Sequence, residues 1–107
     1  MAQSARVTKE LGAAEATGGC VELAMQGMNY AAFQLTGTFT GTITFYGSVD
    51  GVTFVAMSCL PIGSATAVTT ATAAGIWVST RPTPLAAVKA AFSSYSDGTA
   101  VISIAAA

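Results

Sequence analysis

Hydrophobic and polar positions alternate most regularly over residues 36–58. In the first half of this segment Ile43, Phe45 and Val49 occupy every second or fourth position, which is the period-two pattern of a strand with one buried face. The positions between them are predicted to face solvent, and they are Thr42, Thr44, Tyr46 and Ser48.

An Asp50-Gly51 pair interrupts this alternation and predicts a hairpin turn. Asp-Gly suits a two-residue type I′ loop, because both central residues need positive φ. The register that this turn predicts places large residues opposite small ones, with the pairs Val49–Val52, Gly47–Phe54 and Phe45–Ala56.

Shorter alternating segments, separated by turn signals about every ten residues, predict a wholly β domain. A second Asp-Gly pair, Asp97-Gly98, marks a further turn, and Pro61 ends a strand or lies at a sheet edge. We expect about eight strands in a single antiparallel β-sandwich of the jelly-roll type. The predicted strands outside the hairpin include residues 20–26, 30–36, 64–74, 76–78, 85–92 and 99–105.

The first nineteen residues differ from the rest, so we divide the chain into an N-terminal arm (1–19) and a β-sandwich domain (20–107). Val7 and Leu11 are four positions apart and could share a helix face, although an extended arm fits equally well. The arm is either a frayed terminus or a segment that docks on a neighbour through these two residues. No apolar core of a signal peptide follows its basic residues.

Charge is scarce along the whole chain. Of 107 residues, 8% are charged and 52% are hydrophobic, whereas an average soluble domain carries about 25% charged residues. A membrane helix does not explain this, because glycine, threonine and serine interrupt both long uncharged segments. We therefore expect no membrane partner, and a subunit whose surface is largely covered by other subunits.

Two features support a covered surface. Residues 64–74 are almost entirely alanine, threonine and valine, and such an uncharged edge needs cover from a loop of the same chain or from a neighbour. Trp77 is either a core residue at one end of the sandwich or an interface anchor.

Nothing in the sequence supplies catalytic chemistry. The chain has no histidine, its five carboxylates form no readable pair, and no base is present to activate a serine. Cys20 and Cys59 are expected to be free thiols, and with no histidine they cannot complete a metal site. We predict no enzyme activity, no cofactor, no metal and, with four basic residues, no nucleic-acid partner.

Sugar binding is the remaining ligand chemistry that the composition allows. A small β-sandwich can bind glycans through a few aromatic side chains, but aromatic residues lie at core boundaries by default, and that assignment is favoured. The aromatic candidates are Tyr30, Tyr46, Trp77 and Tyr95.

The segment of residues 37–55, GTFTGTITFYGSVDGVTFV, resembles a hairpin motif of small β-sandwich virion proteins of tailed bacteriophages. The turn at residues 94–98 resembles a later turn of those proteins, and Lys89 stands where an arginine is expected. The hairpin positions that match are Gly41, Thr42, Phe45, Gly47, Ser48, Asp50, Gly51 and Phe54.

This resemblance implies a non-enzymatic structural role in the virion, and a short chain is most similar to a capsid decoration (cement) protein. The implied partners are the major capsid protein and further copies of the chain, in a trimer or another homo-oligomer. The alternative is a glycan-binding or structural module of a head fibre, tail or baseplate. The candidate interface residues are Val7, Leu11, Thr44, Tyr46 and Trp77, and the turn-forming residues are Asp50, Gly51, Asp97 and Gly98.

Overall fold

Two antiparallel β-sheets pack face to face in the part of the chain that the structure describes. The computed structural model describes residues 5–11, 19–25, 27–80 and 85–106, with the backbone alone for 5–11. No helix occurs among these residues. The strands are β1 (Ala5–Leu11), β2 (Cys20–Ala24), β3 (Ala31–Thr36), β4 (Phe39–Ser48), β5 (Val55–Ala56), β6 (Cys59–Pro61), β7 (Thr70–Ala71), β8 (Gly75–Ser79), β9 (Ala87–Gly98) and β10 (Ala100–Ala106).

The predicted all-β antiparallel sandwich is confirmed. Sheet A has the strand order β1-β10-β3-β8-β6, and sheet B has the order β2-β9-β4-β5, with β7 also paired to β4. The described residues form ten strands where about eight are predicted, for two reasons. Residues 5–11 of the predicted arm form an edge strand on β10, and the strand predicted after the hairpin turn divides into β5 and β6, which lie in different sheets.

Two of the connections between the sheets are corners that lie side by side. Gly37 and Thr38 connect β3 to β4, and Thr99 connects β9 to β10. The Thr99 amide donates to the Thr38 carbonyl oxygen at 2.9 Å. Thr36 pairs with Val101 in sheet A, and Phe39 pairs with Gly98 in sheet B. Both segments have two residues between these pairs, so the same register continues through the bend.

Glycines make this close approach of the two corners geometrically feasible. Gly37 and Gly98 have φ of 94° and 90°, a region that a Cβ disfavours. A Cβ on Gly37 would also lie 2.6 Å from the Thr99 carbonyl oxygen, and one on Gly98 would collide with the Thr38 carbonyl. Where the sequence predicts an Asp97-Gly98 turn, the structure has the end of β9 at this corner, and the Asp97 carboxylate accepts from the Gly98 amide at 2.8 Å.

The core lies between the sheets and is centred on aromatic rings. Phe45 of sheet B contacts Phe33 and Trp77 of sheet A, with ring centroids 4.8 and 5.5 Å apart. The Trp77 side chain is 8% exposed, which confirms the core alternative for this residue. Aliphatic side chains extend the core on both sides, and those fully buried are Val21, Leu35, Ile43, Val88, Ile102 and Ile104.

The predicted two-residue hairpin turn at Asp50-Gly51 is wrong in its register. Tyr46 pairs with Ala56 and Gly47 with Val55, one position away from the predicted pairs. Residues 49–54 form a longer loop instead, because side-chain hydrogen bonds from Ser48 and Asp50 hold the backbone there. Val49, predicted to face the core, is 76% exposed.

The residues predicted to form the solvent face of β4 are partly covered. Thr44 and Ser48 are buried, and Thr42 and Tyr46 are half-buried. Of the strand predicted over 64–74, the structure forms the two residues of β7. Thr70 and Ala71 pair with β4 as β7, and Val68 forms an isolated bridge with Cys59 of sheet A. Most residues of this segment are exposed, so the cover that the sequence predicts for it stays a prediction.

Gly98→Ala should lower the free energy of unfolding by at least about 3 kcal/mol. The left-handed φ alone costs about 1–2 kcal/mol for a residue with a Cβ, and displacing the Thr38 carbonyl adds to it. Gly63→Ala is the matched control, because Gly63 has φ of 85° and a Cβ added there would meet no atom within 4 Å. Chemical denaturation of both variants measures the difference, and equal losses would contradict a packing role for the corner.

Candidate interaction surfaces

The outer face of sheet A carries no charge over four neighbouring strands. Strands β3, β6, β8 and β10 contain no charged residue, and the charged residues of this sheet are confined to β1 at the edge. Buried and accessible positions alternate along β3 and β10, so their accessible residues share the outer face. One row across this face consists of Leu60, Val78, Ala32 and Ala105.

Two shallow depressions lie on this face and share Ala32 and Ala105 in their linings. The larger has a volume of about 440 Å³, and its other contacts include Tyr30 and Val78. The smaller, of about 160 Å³, extends toward Gln34 and Ile76. We call the two together the alanine groove. It is concave because the small alanine side chains of β3 and β10 lie beside the larger side chains of Val78 and Tyr30.

A second apolar surface protrudes at the loop between β4 and β5. Val49, Val52 and Val55 are 76%, 81% and 67% exposed, the highest values among the large hydrophobic residues that the structure describes. We call these three residues the valine tip. Because the loop is closed by its own side chains, the tip is presented on an ordered backbone and not on a free strand end.

Ser48 and Asp50 order this loop through a local hydrogen-bond network. The Ser48 hydroxyl donates to Asp50 Oδ1 at 2.8 Å and accepts from the Gly51 amide at 2.9 Å. Asp50 Oδ1 also accepts from the amides of Val52 and Thr53, each at 2.8 Å. These hydrogen bonds lower the pKa of Asp50 from 3.8 to about 2, and the hydrogen bond from the Thr53 amide has the largest effect. The carboxylate is therefore a turn-forming group, and Gly51 follows it with φ of 78°.

Lys89 lies on the outer face of sheet B between two aromatic rings. Its Nζ is 4.3 Å from the ring centroid of Phe54 and 5.4 Å from that of Tyr46. Glu22 of β2 stands opposite Lys89 in the register of the two strands. The cation–π contacts hold the Phe54 end of the loop against the sheet, so this lysine supports the base of the valine tip.

Hydroxyl groups make the remaining polar contacts on the outer side of sheet B. Thr44 Oγ1 donates to Ser93 Oγ at 2.8 Å, and Ser93 Oγ donates to the Thr42 carbonyl at 3.2 Å. Ser93 is the extra residue of a β-bulge between β9 and β4, which aims its side chain at these partners. Nearer the corners, the Tyr95 hydroxyl donates to the Gly98 carbonyl oxygen at 2.7 Å. The pKa of Tyr95 is raised, mainly by burial and to a lesser extent by the negative charge of Asp97.

The candidate interface residues do not converge on one surface. Thr44 and Tyr46 lie on β4, and the Thr44 side chain is buried, whereas Trp77 lies between the sheets. Val7 and Leu11 stand opposite Ile104 and Ala100 in the register of β1 with β10, and their side chains lie outside the described part of the structure.

The aromatic glycan candidates are equally dispersed. Tyr30 is half exposed beside the groove, Tyr46 lies on the other sheet, Trp77 lies in the core, and Tyr95 lies near the corners.

Sequence reasoning missed the two surfaces that the structure forms. The valine tip was not predicted because a two-residue turn was assumed at this position. Ser48, two positions before Asp50, was a signal for a longer loop that side-chain hydrogen bonds stabilise. The groove depends on Ala32 and Ala105, which are more than seventy positions apart in the chain. No local pattern links them, because β10 adds to β3 only through the long-range topology.

Potential metal ligands are dispersed in the part of the chain that the structure describes. No group of three or more histidine, cysteine or acidic residues that could hold a metal ion occurs among the described residues. Cys20 and Cys59 are free thiols in different sheets, and burial raises the pKa of Cys59 to about 12, which keeps that thiol protonated. The described ranges contain strands and loops, and no helix long and apolar enough to cross a membrane is found in them.

Comparison with known proteins identifies the fold. A scan against known protein families finds no match, and a search of curated proteins finds none either. Among solved structures, the SPBc2 prophage-derived protein YomS matches 100% of this chain and 97% of its own, with a TM-score of 0.76 and 14% identity. The PBSX exported protein XepA matches 95% of this chain with a TM-score of 0.72 and 17% identity, and the match spans 38% of XepA. At these identities the likeness establishes a shared sandwich fold.

Acid should destabilise the fold through Asp50 between about pH 4 and pH 2. The pKa of about 2 in the folded protein lies below the ordinary 3.8, so the carboxylate stabilises the fold above about pH 4, and this contribution is lost as pH falls through 2. D50N, which cannot ionise, should therefore lose less stability than the wild type over this window. Urea unfolding at pH 2, 3, 4 and 7 measures both proteins, and the pH 7 data establish that D50N is folded. If the free energy of unfolding fell equally with pH in the wild type and in D50N, Asp50 would not be the group responsible.

Proposed function

We propose that this chain is a structural virion protein of a tailed bacteriophage, and specifically a capsid decoration protein. It binds the outside of the phage head and cross-bridges major capsid subunits. The single observation that carries the proposal is the uncharged, concave outer face of sheet A on a small sandwich. An apolar face of this kind favours contact with protein over exposure to water.

The fold comparisons support a phage origin. One whole-length structural match is a prophage-derived protein, and a second is part of a prophage exported protein. Neither of these two proteins is named for a capsid, so the decoration role rests on the character of the surface and on the resemblance of the β4–β5 hairpin to those of small virion proteins.

The proposed mechanism is non-covalent cross-bridging by many identical copies. Each copy buries apolar surface against the major capsid protein and against neighbouring copies, and the contribution at each site is modest. The symmetry of the head repeats that contribution, and simultaneous attachment at two sites raises the effective affinity well above that of one. The protein acts in the virion without catalysis, cofactor or nucleic acid.

The copy number in purified particles tests this role. A decoration protein should be present in a fixed ratio to the major capsid protein, on the order of hundreds of copies per particle. Quantitative mass spectrometry of purified particles measures this ratio. A handful of copies would refute decoration and favour the fibre, tail or baseplate alternative, and complete absence would refute a virion role.

Saturable binding to empty capsids provides the second measurement. Ile76→Lys adds a charge to the exposed outer face of sheet A, and it should weaken binding at least tenfold, or about 1.4 kcal/mol. Thr40→Lys adds the same charge at an exposed position of β4 and is the matched control. Equal binding by both variants would exclude this face as the capsid contact.

A further inference from the structure

We propose that the valine tip of one copy packs into the alanine groove of a second copy. The contact is heterologous, since it joins two different surfaces of the same chain. The tip occupies the larger depression of the groove, and the part of the face around Ile76 is left for the capsid contact. It goes beyond decoration as such by naming the surface through which copies meet, and it rests on the proposed function only in assigning the contact to neighbours on the phage head.

The shapes of the two surfaces are complementary. The tip presents three branched side chains on a loop closed by Ser48 and Asp50, so little order is lost when it binds. The groove offers about 440 Å³ in its larger part, with alanine side chains at its centre. The high exposure of the valines also shows that the tip does not occupy the groove of its own molecule.

The distribution of charge supports a second copy of this chain as the occupant of the groove. The groove is lined by uncharged residues, and the charged residue within the loop that carries the tip is Asp50. Arg6 stands opposite Ala105 in the register of β1 with β10, which places a basic residue in the row of the sheet that lines the groove. The negatively charged loop and a basic residue on the adjoining edge strand attract each other, whereas an anionic lipid surface would repel the loop.

Both surfaces lie at the same end of the sandwich. Strand β3 begins at Ala31 beside the groove and runs toward the corners, and β4 runs back from the corners to Ser48 beside the tip. A molecule can therefore insert its valine tip into the alanine groove of one neighbour and bind the tip of another in its own groove. Repetition of such a contact closes a ring or continues as an open array.

The size of the contact explains why copies need a lattice to hold it. Three valines and a shallow groove cover well below the roughly 1,200 Å² of total buried surface that a stable dimer needs. The contact is accordingly weak in solution, and high local concentration on a particle makes it persistent.

Disulfide trapping between two cysteine variants tests the contact. Val52→Cys and Ala105→Cys are prepared in a Cys20→Ser background, one with a mass tag, and mixed at about 1 mM under mild oxidation, a concentration suited to weak contacts. Cys59 is buried and does not compete. The mixed Val52–Ala105 disulfide should form at least about tenfold faster than either variant reacts with Thr40→Cys, the exposed control on sheet B.

Every other pattern of products overturns the proposal. A predominant Val52–Val52 product would indicate tips that meet each other, and a predominant Ala105–Ala105 product would indicate sheet faces that meet. Rates equal to that of the Thr40 control would indicate random collision.

A charge reversal tests the electrostatic part. Arg6→Glu should slow the mixed reaction at least about threefold, and Lys9→Glu, which stands opposite buried Ile102 on the same strand, is the control of equal charge. Equal slowing by both would assign the effect to net charge and overturn the role of Arg6.

The disulfide experiment and the copy number in particles can refute the copy-to-copy contact and the decoration role independently. Trapping in solution by a protein that is absent from particles would retain the contact and refute decoration. A protein abundant on particles that gives no mixed disulfide would retain decoration and refute the contact.

Discussion

The two adjacent corners constrain the whole sandwich. Because the Thr99 amide bonds to the Thr38 carbonyl and each glycine lies against the other connection, the β3–β4 and β9–β10 segments bend as one pair with an unbroken register. The central pair of each sheet is thereby fixed relative to the other. All other strands add at the sides of these pairs: β8 and β1 in sheet A, β2, β5 and β7 in sheet B, and β6 on β8. Aromatic packing of Phe45 against Phe33 and Trp77 then fills the space that the bend encloses.

Local sequence patterns predicted what depends on local physics. Strict alternation identified β2, β3, β4 and β10, because burial of one strand face imposes a period of two. The Asp97-Gly98 pair predicted a turn, whereas the structure has the end of β9 and a corner between the sheets at this place. The hairpin register was wrong since Ser48 and Asp50 compete for the backbone amides that a two-residue turn would place elsewhere. The bulge at Ser93 and the lysine between Tyr46 and Phe54 depend on cross-strand neighbours, which the sequence does not place.

The scarcity of charge, noted first as a property of composition, has a spatial distribution in the fold. Sheet A has its charged residues on the edge strand β1 alone, while Lys89 and Glu22 stand together on sheet B. One side of the sandwich is therefore suited to contact with protein, and the other retains the features of a solvated sheet. This asymmetry was not deducible from the overall 8% of charged residues, because it depends on which strands share a sheet.

The position of β9 and β10 also determines when the protein can fold. These two strands, residues 87–106, occupy central places in both sheets, with β10 between β1 and β3 and β9 between β2 and β4. During synthesis the earlier strands have no partner for these edges until residues 87–106 have emerged from the ribosome. Folding is thus delayed until then, and it must close contacts as distant as Ala5 with Ala106, which makes it slow. Exposed strand edges during that interval favour aggregation.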